Sequence, residues 1–206
     1  PTATLGRGPG FTYAVYAPPE GIAEDEDTVL YLLHGGGEGT AFWGKWPVAR
    51  AYYEAHRASG LPAPRVVSVS YGEYWLLTDH DGSGRTGLLD RFAAEAMPFV
   101  ESRLGTPRRR LLWGLSMGGY NAARLALKTP ELWSAAVLTC PAITTLPSTA
   151  DAGQLTAYIE RTRADRAKVE WMHGYAKTVF SDLASWSRND SVRLASLAAA
   201  SPPIFV

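Results

Sequence analysis

Residues 109–128 read RRLLWGLSMGGYNAARLALK, and their reading decides the fold. Leu111-Leu112-Trp113 is a short apolar run suited to a buried strand. Ser116 to Lys128 suits a helix, stopped before Pro130. Between them, Gly114-Leu115-Ser116-Met117-Gly118 is a G-x-S-x-G pattern at a strand-to-helix bend. Such a bend exposes a serine hydroxyl at the carboxyl end of the strand, and small neighbours let strand and helix approach closely. Gly114, Gly118 and Gly119 are those neighbours. Ser116 is therefore a candidate nucleophile, one that needs a base to take its proton.

Upstream, Thr28-Val29-Leu30-Tyr31-Leu32-Leu33 is continuously apolar, as in a parallel strand covered on both faces, and it ends in His34-Gly35-Gly36-Gly37. Attack of a serine on a carbonyl creates an oxyanion, and two backbone N–H groups must be aimed at it. One donor is expected from Met117, the residue after the serine, and the other from the loop after the third strand. His34 reads as an anchor of that loop rather than as the base. Trp43, Trp46, Tyr74 and Trp75 flank these loops and are either pocket walls or core anchors; the sequence does not separate the two.

The remaining pattern alternates. Phe11 to Ala17 is a strand, Pro47 to Ser59 a helix ended by Gly60, and Arg65 to Ser70 a strand. Leu88 to Leu104 has helical periodicity, with Pro98 expected to distort it and Gly105 to cap it. Ala135 to Thr139 is another strand, 154–200 is mainly helical, and Pro202 to Val206 begins a further strand. Gly6 to Gly10 reads as a turn, Glu20 to Asp27 as an acidic loop, and 71–87 as a polar loop. The order β, β, α, β, α, β, α, β, helices, β predicts an α/β chain with a doubly wound, mostly parallel sheet and helices on both faces.

Bulk properties narrow the function. With 206 residues the chain fits a single domain spanning 1–206, and twenty basic against twenty acidic residues leave no basic excess for a nucleic-acid partner. Arg108-Arg109-Arg110 reads as a solvated strand entry. No stretch approaches the ~20 apolar residues of a membrane span. Asp79-His80-Asp81 is too tightly spaced to converge on one ion, so neither a metal nor a cofactor is expected. The single cysteine, Cys140, leaves the compartment open.

Together the segments VLYLLHGGG, GLSMGGYNAARLALKTPELWSAAV and SPPIFV resemble the α/β-hydrolase fold, and more narrowly the esterase D-like family. That family includes S-formylglutathione hydrolases, feruloyl esterases, siderophore esterases and mycolyltransferases. The resemblance spans roughly residues 5–206, about three quarters of a family domain. It implies an ester or thioester hydrolase working through an acyl-enzyme on Ser116, with the amides of Gly36 and Met117 as the oxyanion hole and a helical cap-like insertion at 150–200. Gly37, Trp43 and Tyr120 are added as substrate-binding candidates.

The same resemblance raises a difficulty. The triad order in this fold is Ser, Asp or Glu, then His. Only His173 follows Ser116, in a segment read as a cap helix. The acid and base are therefore expected beyond Val206, in a carboxyl-terminal segment or a second chain that also completes the sheet. Two other readings stand beside hydrolysis: an acyltransferase on the same fold, and a non-catalytic binding or scaffold protein.

Overall fold

The computed structural model describes residues 3–36, 39–45, 47–72, 87–180 and 182–206. Strands β1 (Ala3–Gly8), β2 (Phe11–Tyr16), β3 (Glu24–Leu33), β4 (Ala63–Ser70), β5 (Arg109–Leu115), β6 (Ala135–Thr139) and β7 (Ile204–Phe205) form one sheet in the order β1-β2-β4-β3-β5-β6-β7. The pairs β1–β2 and β2–β4 are antiparallel, and β4, β3, β5, β6 and β7 run parallel.

The apolar runs divide between two faces with the period of two that a strand imposes. Val29, Tyr31, Leu33 and Leu112 face one core, closed by helices α3 (Leu88–Arg91), α4 (Met97–Leu104) and α5 (Met117–Lys128). Leu30 and Leu32, with Leu111, Trp113 and Leu115, face the other, closed by α1 (Phe42–Lys45) and α2 (Pro47–Ser59). A strand buried on both sides has no solvent face, which is why residues 28–33 carry no polar alternation.

Two expectations need correction. Gly6 and Gly8 lie in β1 rather than in a turn; they pair with Tyr13 and Phe11, whose rings lie where a Cβ would stand. Only Pro9-Gly10 turns the hairpin, with Gly10 at φ 80°. The acidic segment is half strand: β3 begins at Glu24 and bulges between Asp25 and Val29. Its charges are held there by Arg65 on Glu24, Arg109 on Asp25 and Arg108 on Asp27. The distortion expected at Pro98 is present as a local change of winding. The turn before it, Phe92–Ala96, is wound as a π-helix, and Pro98 falls in the first turn of α4, where no N–H is required.

One polar group bridges this core. Glu101 is 6% exposed; one carboxylate oxygen accepts from the Tyr31 hydroxyl at 2.8 Å and from Arg110 Nε at 2.7 Å, and the other from Arg110 Nη2 at 2.7 Å. This fork ties α4 to β3 and β5. Burial and the Glu101 charge push the Tyr31 phenol far above its ordinary range, so it stays a donor at any working pH. Removing Glu101 leaves the Tyr31 hydroxyl buried and unpaired, whereas removing that hydroxyl leaves the Arg110 fork in place. Glu101→Ala is expected to destabilise by about 3 kcal/mol and Tyr31→Phe by about 1 kcal/mol in denaturant melts.

Candidate active site

Strand β5 delivers Ser116 to the carboxyl edge of the sheet, and α5 starts one residue later. Ser116 is exposed, whereas Met117, Gly118, Gly119 and Tyr120 are buried. Its backbone stands at φ 52°, ψ −112°, a region that costs an L residue about 1–3 kcal/mol and persists only where its surroundings impose it. They do. Ser116 N–H donates to Thr139 O at 3.0 Å, and Ser116 O accepts from Tyr120 N–H at 3.0 Å and Ala142 N–H at 2.9 Å.

The glycines around it have backbone reasons. A Cβ on Gly114 would meet the Gly118 carbonyl, and one on Gly118 would meet the carbonyls of Leu33 and His34. A Cβ on Gly119 would stand 2.9 Å from Pro141 Cα. The first turn of α5 is thus wedged against β5, the end of β3 and the segment after β6.

The same wedge sets the 34–36 loop beside the serine. A Cβ on Gly35 would lie 3.9 Å from Ser116 Cβ. His34 is buried and anchors this loop: Nδ1–H donates to Gly35 O at 2.7 Å, and Nε2 lies 2.8 Å from Ser70 Oγ. Gly36 is exposed, with open space on its Cβ side. Met117 is the first residue of α5, so its N–H has no intrahelical acceptor, and none is found among the described residues.

After β6 come α6 (Ala152–Thr162), α7 (Arg166–Val179), α8 (Leu183–Asn189) and α9 (Ser191–Leu197), of which α6 and α7 line the space beside Ser116. Val179, Phe180 and Trp186 bury the Met117 and Tyr120 side chains. Tyr120 Oη donates to Asn189 O at 2.9 Å, and Arg124 donates to Asn189 Oδ1. A cavity of about 440 Å³ opens between Ser116, the 140–146 segment and α7.

His173 also lines that cavity. It is 6% exposed, and its Nε2–H donates to Ala150 O at 3.1 Å. Burial pushes its imidazole below the ordinary range, against the Ala150 bond, which raises it, and with the nearby Lys177 charge, which lowers it.

Of the candidates, Met117 adjoins Ser116 at the start of α5, and Gly36 follows Gly35, whose Cβ position lies 3.9 Å from Ser116 Cβ. Trp43 is not part of that group: it is 1% exposed and packs edge-on to Tyr52, Tyr53 and Trp113 in the α1–α2 core. Tyr120 is buried behind the cavity, lining a smaller void. Gly37, Trp46, Tyr74, Trp75 and the Asp79-His80-Asp81 run lie outside the described residues. Sequence reasoning missed the cavity walls Ile143, Leu146, Val169 and Met172, whose apolar spacing is that of any amphipathic segment.

A family model described as "Putative esterase" matches residues 7–203. Among solved structures, the chain is similar to an S-formylglutathione hydrolase from Agrobacterium tumefaciens, at 18% identity and a TM-score of 0.61, covering 98% of this chain and 72% of that one. It is also similar to the fluorophosphonate-binding serine hydrolase F of Staphylococcus aureus, at 14% identity and a TM-score of 0.61, covering 98% and 76%. A third likeness is an alpha/beta hydrolase enzyme from the metagenome of Lake Arreo, Spain, at 19% identity and a TM-score of 0.53, covering 100% and 62%. No curated protein sequence matches. The fold is that of the α/β-hydrolases.

Two outcomes check this geometry. Gly118→Ala is expected to cost about 3 kcal/mol or prevent folding, because backbone must move, whereas Gly36→Ala changes stability by less than about 0.5 kcal/mol; thermal melts separate them. His173 is neutral in the fold, with its affinity for a proton reduced. Its contribution to stability is therefore full above the ordinary imidazole pKa of about 6.5 and is lost as pH falls below it. His173→Gln is expected to flatten that part of a stability–pH profile.

Proposed function

The chain belongs to this esterase family, and from that premise we propose that it is a serine ester hydrolase with Ser116 as nucleophile. The observation that carries the reading is the exposed Ser116 in its strained bend at the start of α5, with the Gly35 backbone beside it. Ser116 Oγ attacks the carbonyl carbon of an ester or thioester, and the negative oxygen that develops is met by the Met117 and Gly36 N–H groups. The alcohol or thiol leaves, and water releases the acyl group from Ser116.

The serine proton needs an acceptor. Among the described histidines, His34, His56 and His173 each engage a backbone carbonyl, and none is hydrogen-bonded to Ser116. No base is thereby assigned to Ser116 among the described histidines.

Ser116→Ala in the full-length gene product is expected to lower kcat/KM for p-nitrophenyl acetate by about 10⁴-fold or more, since nucleophile and base act as a unit. A fluorophosphonate is expected to label the parent protein and not the variant. Undiminished turnover by Ser116→Ala would overturn the assignment.

A further inference from the structure

The cavity beside Ser116 has a chemistry of its own. Ser116 forms part of its wall, so whatever is esterified to Ser116 Oγ can extend into it. The rest is largely apolar, from Ile143 and Leu146 after β6 and from Val169, Met172 and Ala176 on α7. Its charged residues, Asp165 and Lys168, are opposite in sign, and both are exposed. They select neither an anionic nor a cationic group.

A second void of about 30 Å³ lies alongside, closed by Tyr120, Tyr175, Phe180 and Trp186. Ala142, Thr144, Met172 and Ala176 line both spaces. Of these four, Met172 has the longest side chain, an unbranched thioether that adapts to irregular space. It is the partition between the cavity that reaches Ser116 and the void behind it.

We propose that the larger cavity is an acyl pocket for uncharged, unbranched aliphatic acyl groups, and that Met172 is the wall that sets their length. The proposal rests on the esterase reading above. Each methylene moved from water into an apolar wall contributes up to about fourfold in kcat/KM. The gain stops where the chain meets Met172. The acyl group stays on Ser116 after the first step while the alcohol leaves, and the proposal therefore puts the length dependence on the acyl side.

The test compares p-nitrophenyl esters from acetate to dodecanoate, and alkyl acetates of increasing alcohol length, using the full-length gene product. The expected result is a two- to fourfold rise in kcat/KM per acyl methylene up to a break, with little dependence on the alcohol chain. Met172→Ala joins the two spaces and moves the break about two carbons longer. Ala176→Leu fills the cavity and moves it shorter. A flat or falling acyl series, a break that neither variant moves, or a length dependence on the alcohol side would overturn the pocket while leaving the esterase intact. No turnover of any ester by the full-length protein would overturn the esterase reading and the pocket with it.

Discussion

The contact on which the rest depends is backbone against backbone: the first turn of α5 against the ends of β3 and β5. Gly118 meets the carbonyls of Leu33 and His34, and Gly114 meets the carbonyl of Gly118, at a separation that leaves no room for a Cβ. Three consequences follow from this one approach. The chain at Ser116 must reverse within a residue, which holds it at φ 52°. The helix begins at Met117, freeing that N–H at the positive end of the helix dipole. The loop after β3 comes to lie against the serine, because the strand that supplies it is the one α5 is wedged upon. The exposed serine, the free helix-start N–H and the glycine loop beside them are thus products of one packing constraint.

Packing on both sides preserves this arrangement. Beneath, Glu101 joins Tyr31 and Arg110, fixing α4 to the two central strands that end at the site. Above, Phe180 and Trp186 meet edge to face and cover Met117, so the residue that offers the N–H is immobilised through its side chain. Asn189 accepts from Tyr120 and Arg124, linking α8 to the same helix. The proposed oxyanion hole would work through preorganisation, and the start of α5 is held by the sheet on one side and by α8 and the end of α7 on the other.

The central strands and the bend were legible in the sequence because their chemistry is local. Residues 28–33 and 111–113 are apolar without alternation, and glycines at 114, 118 and 119 between a strand and a helix mark a close approach of the two. What escaped was decided by partners far along the chain. Gly6 and Gly8 read as a turn because the aromatic rings that cover them belong to β2. Glu24 to Asp27 read as a loop because the arginines that neutralise it are at 65, 108 and 109. Trp43 read equally well as pocket or core, and its ring partners at 52, 53 and 113 decide for core. The cavity was illegible for the same reason: its walls come from 140–146 and from α7, and nothing local marks them as facing Ser116.

On the proposed reading, one backbone wedge builds both the nucleophile and its oxyanion hole. The most direct measurement is a crystal structure of the full-length protein after reaction with an alkyl phosphonate. The expected result is a phosphorus–oxygen bond at Ser116, with the phosphoryl oxygen about 2.7–3.1 Å from the Met117 and Gly36 nitrogens. Phosphonate on another residue, or a phosphoryl oxygen turned away from those two amides, would contradict it.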